Sequence, residues 1–305
     1  MNGNASNWKR ILAIMTFLIA SAPGYASGAD ENLIAASRFR RGKLSNGMTL
    51  IVARDDTAPR AFVTVAVNAG SVDEPGNATG LAHYLEHLLF KGTEKIGALD
   101  YEKEKPLLDE IADLYEARRA TGDEERRREI YAEIDRLSAA AAEYSAADEY
   151  SVLLQSLGAT GVNASTSYDV TEYHCEVPVN ELEKLFLLEA ERFSHPVFRR
   201  FHTELETVYE EFNRFQDNDI GRMQSACMEA LFGTHPYGRF VIGTPEDLKN
   251  PSLKALEKFY ADAYTPENMI LIVAGDVDYD EVAAMAERRL LAVLHRLAQA
   301  QRIAA

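Results

Sequence analysis

A chain of 305 residues, 47% hydrophobic and 26% charged, has enough apolar material for one large domain or two small ones. Its formal net charge of −16 excludes a general nucleic-acid binder, which needs a basic face to meet phosphates. The first residues differ from the rest. Lys9 and Arg10 precede an apolar run from Ile11 to Ala20, and small residues follow at Ala26, Ser27 and Ala29. That order is a secretory signal over residues 1–29, and the run is too short to span a bilayer. Export without a stable membrane span is therefore expected, into a periplasm or the exterior.

Along the mature chain, the pair Asn46-Gly47 predicts a hairpin between two short strands, and Ala61 to Val67 predicts another strand. A loop holding Gly70, Pro75, Gly76 and Gly80 leads into Gly80-Leu-Ala-His-Tyr-Leu-Glu-His-Leu-Leu-Phe90. Read as a helix, this run stacks His83 and His87 on one face, with Glu86 beside them. Leu81, Tyr84, Leu85, Leu88 and Leu89 form the other, core-forming face. Two histidines four apart are, alone, more often structural than metal-binding. The order His-x-x-Glu-His is much rarer, and is the inverted form of the zinc-hydrolase helix, two imidazoles for a metal and a carboxylate for its water.

Residues 102–148 carry apolar positions at helical spacing on either side of Thr121-Gly122-Asp123, which predicts a helical hairpin with solvated outer faces. From Gly158 to Pro178 small residues alternate with polar ones and then give way to a β-like run. Such a strand leaves its backbone approachable, and an edge of this kind can pair with a peptide main chain. An amphipathic helix is expected over residues 180–195. Another runs from Phe201 to about Gln216, crowded with Glu204, Glu206, Glu210 and Glu211. A catalytic zinc takes three protein ligands plus water, so one of these carboxylates should complete the set, with His174 and His202 as competitors. Further helices are expected near residues 223–231 and 252–264 and from Tyr279 onward, with a strand at Met269 to Asp276. Cys175 and Cys227 lie in no disulfide or metal spacing, and both read as buried small residues.

The runs GLAHYLEHLLFKGT (Gly80–Thr93), NASTSYDVTEY (Asn163–Tyr173) and ELETVYEEFN (Glu204–Asn213), with His235-Pro-Tyr-Gly238 and Ala274-Gly-Asp276, resemble the pitrilysin/insulinase family of zinc metallopeptidases. The resemblance implies an α+β domain, a mixed and largely antiparallel sheet packed by helices, over about residues 38–290. It implies one Zn2+ on His83, His87 and Glu211, with Glu86 as general base and Glu204 as a supporting carboxylate. It further implies an edge strand at Asn163 and Ala164 that binds peptide backbone. The chain departs from the family in two ways. The His87-to-Glu211 separation is longer than usual by about the length of the hairpin, which reads as an insertion. Family members also work as two homologous halves, whereas residues 291–305 read as an atypical tail after a single domain. A second homologous domain or subunit is therefore expected as partner, beside the peptide substrate. The rival expectation is a non-catalytic or truncated partner subunit of a two-chain peptidase.

Overall fold

The structure is a computed structural model that describes residues 39–290. The expected signal peptide and the tail at 291–305 lie outside the described residues. Six strands form one mixed sheet: β1 (Phe39–Lys43), β2 (Thr49–Arg54), β3 (Arg60–Val67), β4 (Thr160–Thr166), β5 (Thr171–Pro178) and β6 (Met269–Gly275). Their order is β1-β2-β6-β3-β5-β4, with β2 and β6 parallel and every other pair antiparallel.

The register explains the core. Leu50 and Val52 of β2 stand opposite Leu271 and Val273 of β6, which stand opposite Val65 and Val63 of β3. Those two in turn face Tyr173 and Cys175 of β5. Because side chains alternate across a strand, all of these share one face, and all are buried. The opposite face carries Phe62, His174 and Glu172, which remain partly open.

Ten helices accompany the sheet among the described residues: α1 (Leu81–Leu88), α2 (Tyr101–Ala120), α3 (Glu124–Ala142), α4 (Glu149–Ser156), α5 (Leu182–Arg192), α6 (Phe201–Gln216), α7 (Asp219–Phe232), α8 (Pro245–Leu248), α9 (Leu253–Ala263) and α10 (Tyr279–Arg289). Leu81, Tyr84, Leu85 and Leu88 of α1 are all buried in the core shared with the sheet. Helices α2 and α3 are the expected hairpin, and Asp123 starts α3 by accepting from the backbone N–H groups of Glu125 and Arg126. The hairpin is seated by a buried pair: Arg199 donates to both oxygens of Glu104, at 2.8 and 2.9 Å, and to carbonyls of the loop after α1.

Two readings need correction, and one helix goes beyond them. The run Asn163–Tyr173 is not one strand but parts of two, β4 and β5, because Ser167 and Val170 close a tight turn through Ser167 N–H donating to Val170 O at 2.8 Å. Helix α4 had no expectation at all. Cys175 is buried but Cys227 is exposed, and the two are unpaired. The cause is α7, whose outer stripe of Ile220, Met223 and Leu231 lies uncovered among the described residues.

Candidate metal centre and its supports

The loop into α1 is built to aim it. Gly80, at the N-cap, has φ 84°, and a Cβ there would meet the Ile242 carbonyl oxygen at 2.5 Å. Glycine meets both constraints at no steric cost. Having no side chain, it leaves the first amides of the helix uncapped. Glu74 supplies the acceptors instead, one oxygen taking Gly80 N–H and the other Ala82 N–H, both at 2.8 Å. Burial pushes the Glu74 carboxyl up to about 8, against the pull of those two donors.

With α1 so held, His83 and His87 stand edge to face, ring centroids 4.7 Å apart. Helix α6 crosses them with Glu211. Its Oε2 lies 3.6 Å from His83 Nε2 and 3.5 Å from His87 Nε2. His83, His87 and Glu211 offer ligand atoms that all lie within 4.8 Å of one another. Those spacings are long for hydrogen bonds. The two Glu211 spacings of 3.5 and 3.6 Å lie close to the edge of a tetrahedron of donors about 2.0–2.1 Å from a central ion, which is about 3.3–3.4 Å. The donor set, two imidazole nitrogens and a carboxylate oxygen, is also the chemistry of a zinc site with an open fourth position.

Protonation fits the same purpose. His87 Nδ1 lies 2.9 Å from Glu204 Oε1, and a carboxylate can only accept, so Nδ1 carries a proton, and in the neutral ring it is Nε2 that keeps the lone pair for a metal. Lys91 Nζ meets the other Glu204 oxygen at 2.6 Å. Burial would raise the Glu204 carboxyl, but the hydrogen bonds from His87 and Lys91 outweigh it and hold it below the usual range. Burial would likewise lower His87, and the Glu204 hydrogen bond with the surrounding carboxylates raises it instead. His83 has no such support. Its Nδ1 is buried without a partner, and burial, helped by His87, drives its pKa down to about 3.

His83 therefore stays neutral in the fold between pH 3 and 6.5, where the unfolded chain would protonate it. Folding binds fewer protons there, so this group's contribution falls as pH drops through that window. Measured by urea unfolding in chelator, His83→Gln should gain on the wild type by on the order of 2 kcal/mol between pH 7 and pH 5. A pH-independent difference would refute a buried neutral His83.

Glu86 is buried beside the cluster. Burial above all raises its carboxyl pKa, Glu211 adds to that, and Thr166 and His87 oppose it. Its Oε2 accepts from Thr166 Oγ1 at 2.6 Å. The remaining candidates lie elsewhere. On α6, Glu210 faces solvent and pairs with Arg214, and Glu206 is exposed. His202 sits on the hairpin side, its Nδ1 2.8 Å from the Tyr115 hydroxyl. His174 is on the far face of the sheet against Phe62. Asn163 and Ala164 lie on β4, an edge strand, opposite His174 and Tyr173. Sequence reasoning missed Glu74, Lys91 and Thr166. Lys91 and Thr166 fall inside the quoted runs, but nothing local marks their partners.

The fold is that of an α+β shell whose sheet and two crossing helices frame a His-His-Glu cluster, the architecture of the pitrilysin-type peptidases. The chain belongs to the insulinase family, peptidase family M16, whose model matches residues 50–108 and 135–245. The stretch it passes over, 109–134, is the outer part of the α2–α3 hairpin. A second model, the peptidase M16 inactive domain, matches residues 251–302. An uncharacterized zinc protease of Mycobacterium leprae is 28% identical over 269 residues, 87% of this chain and 49% of that protein. The zinc protease PqqE of Helicobacter pylori is 26% identical, with 92% and 52% covered. Among solved structures, a protease from Helicobacter pylori superposes with TM-score 0.64 at 24% identity, over 84% of this chain and 50% of that one. The first half of the periplasmic protease PqqL of Escherichia coli gives 0.63 at 22%, covering 85% and 47%. The chain thus spans about half the length of the curated relatives it first matches.

Proposed function

We propose that this chain is the metal-bearing half of a zinc-dependent endopeptidase that hydrolyses peptides or unfolded protein segments. The observation that carries the reading is the convergence of His83, His87 and Glu211 on one point, with the Glu86 carboxyl alongside. Zinc held by those three side chains would supply a Lewis acid for the scissile carbonyl and a bound water with a pKa near ~7.

The protein's own residues do the rest. Glu86 takes a proton from the attacking water and returns it to the leaving amine as the C–N bond breaks. A raised carboxyl pKa suits that exchange, because a base poised nearer the working pH both accepts and releases the proton. Glu204 and Lys91 fix the His87 ring and its tautomer. The free edge of β4 at Asn163 and Ala164 pairs with the peptide main chain, which draws the substrate past His83 in extended form.

Export through residues 1–29 belongs to the same proposal, in keeping with the periplasmic protease among the structural neighbours. A second homologous domain or subunit completes the enzyme. Half-length coverage of the relatives supports this, as does the uncovered apolar stripe of α7. The same coverage favours the rival, a subunit that holds the fold and leaves cleavage to another chain. Assay of the purified zinc-loaded protein on unstructured fluorogenic peptides decides between them. Cleavage that stops with chelator and returns with zinc is expected. Peptide binding without any cleavage in the zinc-loaded state would establish the rival.

A further inference from the structure

The Glu86 carboxylate has one direct hydrogen-bond partner among the described residues, and it comes from 80 residues away: Thr166, whose Oγ1 donates to Glu86 Oε2. Thr166 ends β4, one of the two edge strands of the sheet among the described residues. Residues two apart on a strand share a face, so its side chain leaves the sheet with that of Ala164, toward α1.

The backbone around Thr166 is braced on several sides. The carbonyls of Ser167 and Tyr168 accept from Ser71 and Val72 N–H groups at 3.2 and 3.0 Å. The next turn residue, Asp169, accepts from the Tyr237 hydroxyl at 2.8 Å through both oxygens. Gly70 packs so tightly under the turn that a Cβ would meet Ser167 O at 2.4 Å. A glutamate side chain has three rotatable bonds, and an unanchored one would sample several directions. Held by one oxygen, it keeps a single aim and leaves Oε1 for the proton.

We infer that Thr166 is a positioning residue for Glu86, and that the strand which receives the peptide also aims the base. The role rests on the peptidase reading above. It makes seating of the peptide and orientation of the proton acceptor properties of one rigid strand end, so substrate and base keep a fixed relation. The Thr166 hydroxyl itself transfers no proton in this scheme.

Thr166→Val keeps the shape and deletes the donor. In the full-length zinc-loaded protein it should lower kcat by about 10- to 100-fold, the worth of one hydrogen bond to a carboxylate. KM should stay within about twofold, and zinc affinity should not change. Thr166→Ser, which restores the hydroxyl, should recover most of the rate. In a Glu86→Gln background Thr166→Val should cost nothing further, since its effect runs through that carboxylate. In urea unfolding of the metal-free protein, Thr166→Val paired with Glu86→Ala, which removes the acceptor, should be non-additive, a readout that needs no activity. Equal losses in both backgrounds, a loss confined to KM, a fall in zinc affinity, or failure of serine to rescue would each overturn the assignment. A wild-type protein that binds zinc and cleaves nothing would remove the peptidase reading and this role together, whereas additivity in unfolding removes this role alone.

Discussion

Replacing Glu86 by Gln is expected to lower kcat/KM by about 10²- to 10⁴-fold while the protein still binds one zinc. The amide is nearly isosteric, and Glu86 is not among the three side chains whose donor atoms converge. Its carbonyl oxygen can still accept from Thr166, so the geometry of α1 and β4 should survive. Only the capacity to take up a proton is removed. Steady-state rates set beside zinc content measured on the same preparation separate the two effects. A variant that retained full chelator-sensitive turnover would transfer the proton step to another group; Glu204, equally buried, is committed to His87 Nδ1 and Lys91 instead.

Loss of His83 should act the other way, on the metal itself. His83→Ala removes one of three donors, leaving His87 and Glu211, a pair that cannot hold a tetrahedral ion alone. Zinc affinity should fall by more than the 10- to 100-fold typical of changes that touch only a ligand's hydrogen-bond partner, and activity should fall with it. Glu204→Gln supplies that comparison, since it touches the metal only through His87 Nδ1. Thermal unfolding offers a second measure, because a ligand that binds only the folded state stabilises it by an amount that grows with the logarithm of its concentration over Kd. Zinc should raise the Tm of the wild type strongly, of Glu204→Gln less, and of His83→Ala hardly at all. Equal shifts in all three would place the zinc elsewhere on the chain.

How much of this was legible beforehand depends on distance along the chain. The His83–Glu86–His87 arrangement is a consequence of helical periodicity and needs only its own five residues. The α2–α3 hairpin and the strands around Asn46-Gly47 are likewise local, set by apolar spacing and turn residues. The glutamates of α6 are a harder case. Periodicity puts Glu204 and Glu211 on one face and Glu206 and Glu210 on another, yet it cannot say which face meets α1. Burial of Phe201, Leu205, Val208 and Phe212 settles the rotation of that helix. Cys227 failed for a similar reason: α7 has an apolar stripe like that of a buried helix, and nothing in its own residues tells whether another element will cover it.

The sequence by itself determined the residue types and their local spacing: which helix carries two imidazoles and a carboxylate, where an insertion departs from the family, and which strand is poor in bulky side chains. Only the tertiary structure decided which distant groups meet. It brought Glu211 across to the histidine pair, Lys91 to Glu204, Glu74 to the start of α1, and Thr166 to Glu86. The physical reason is that a side chain's neighbours within a helix or strand follow from the repeat of that element. Contacts between elements follow instead from how a whole apolar face is buried, and that is a property of the sheet register and of every helix packed against it.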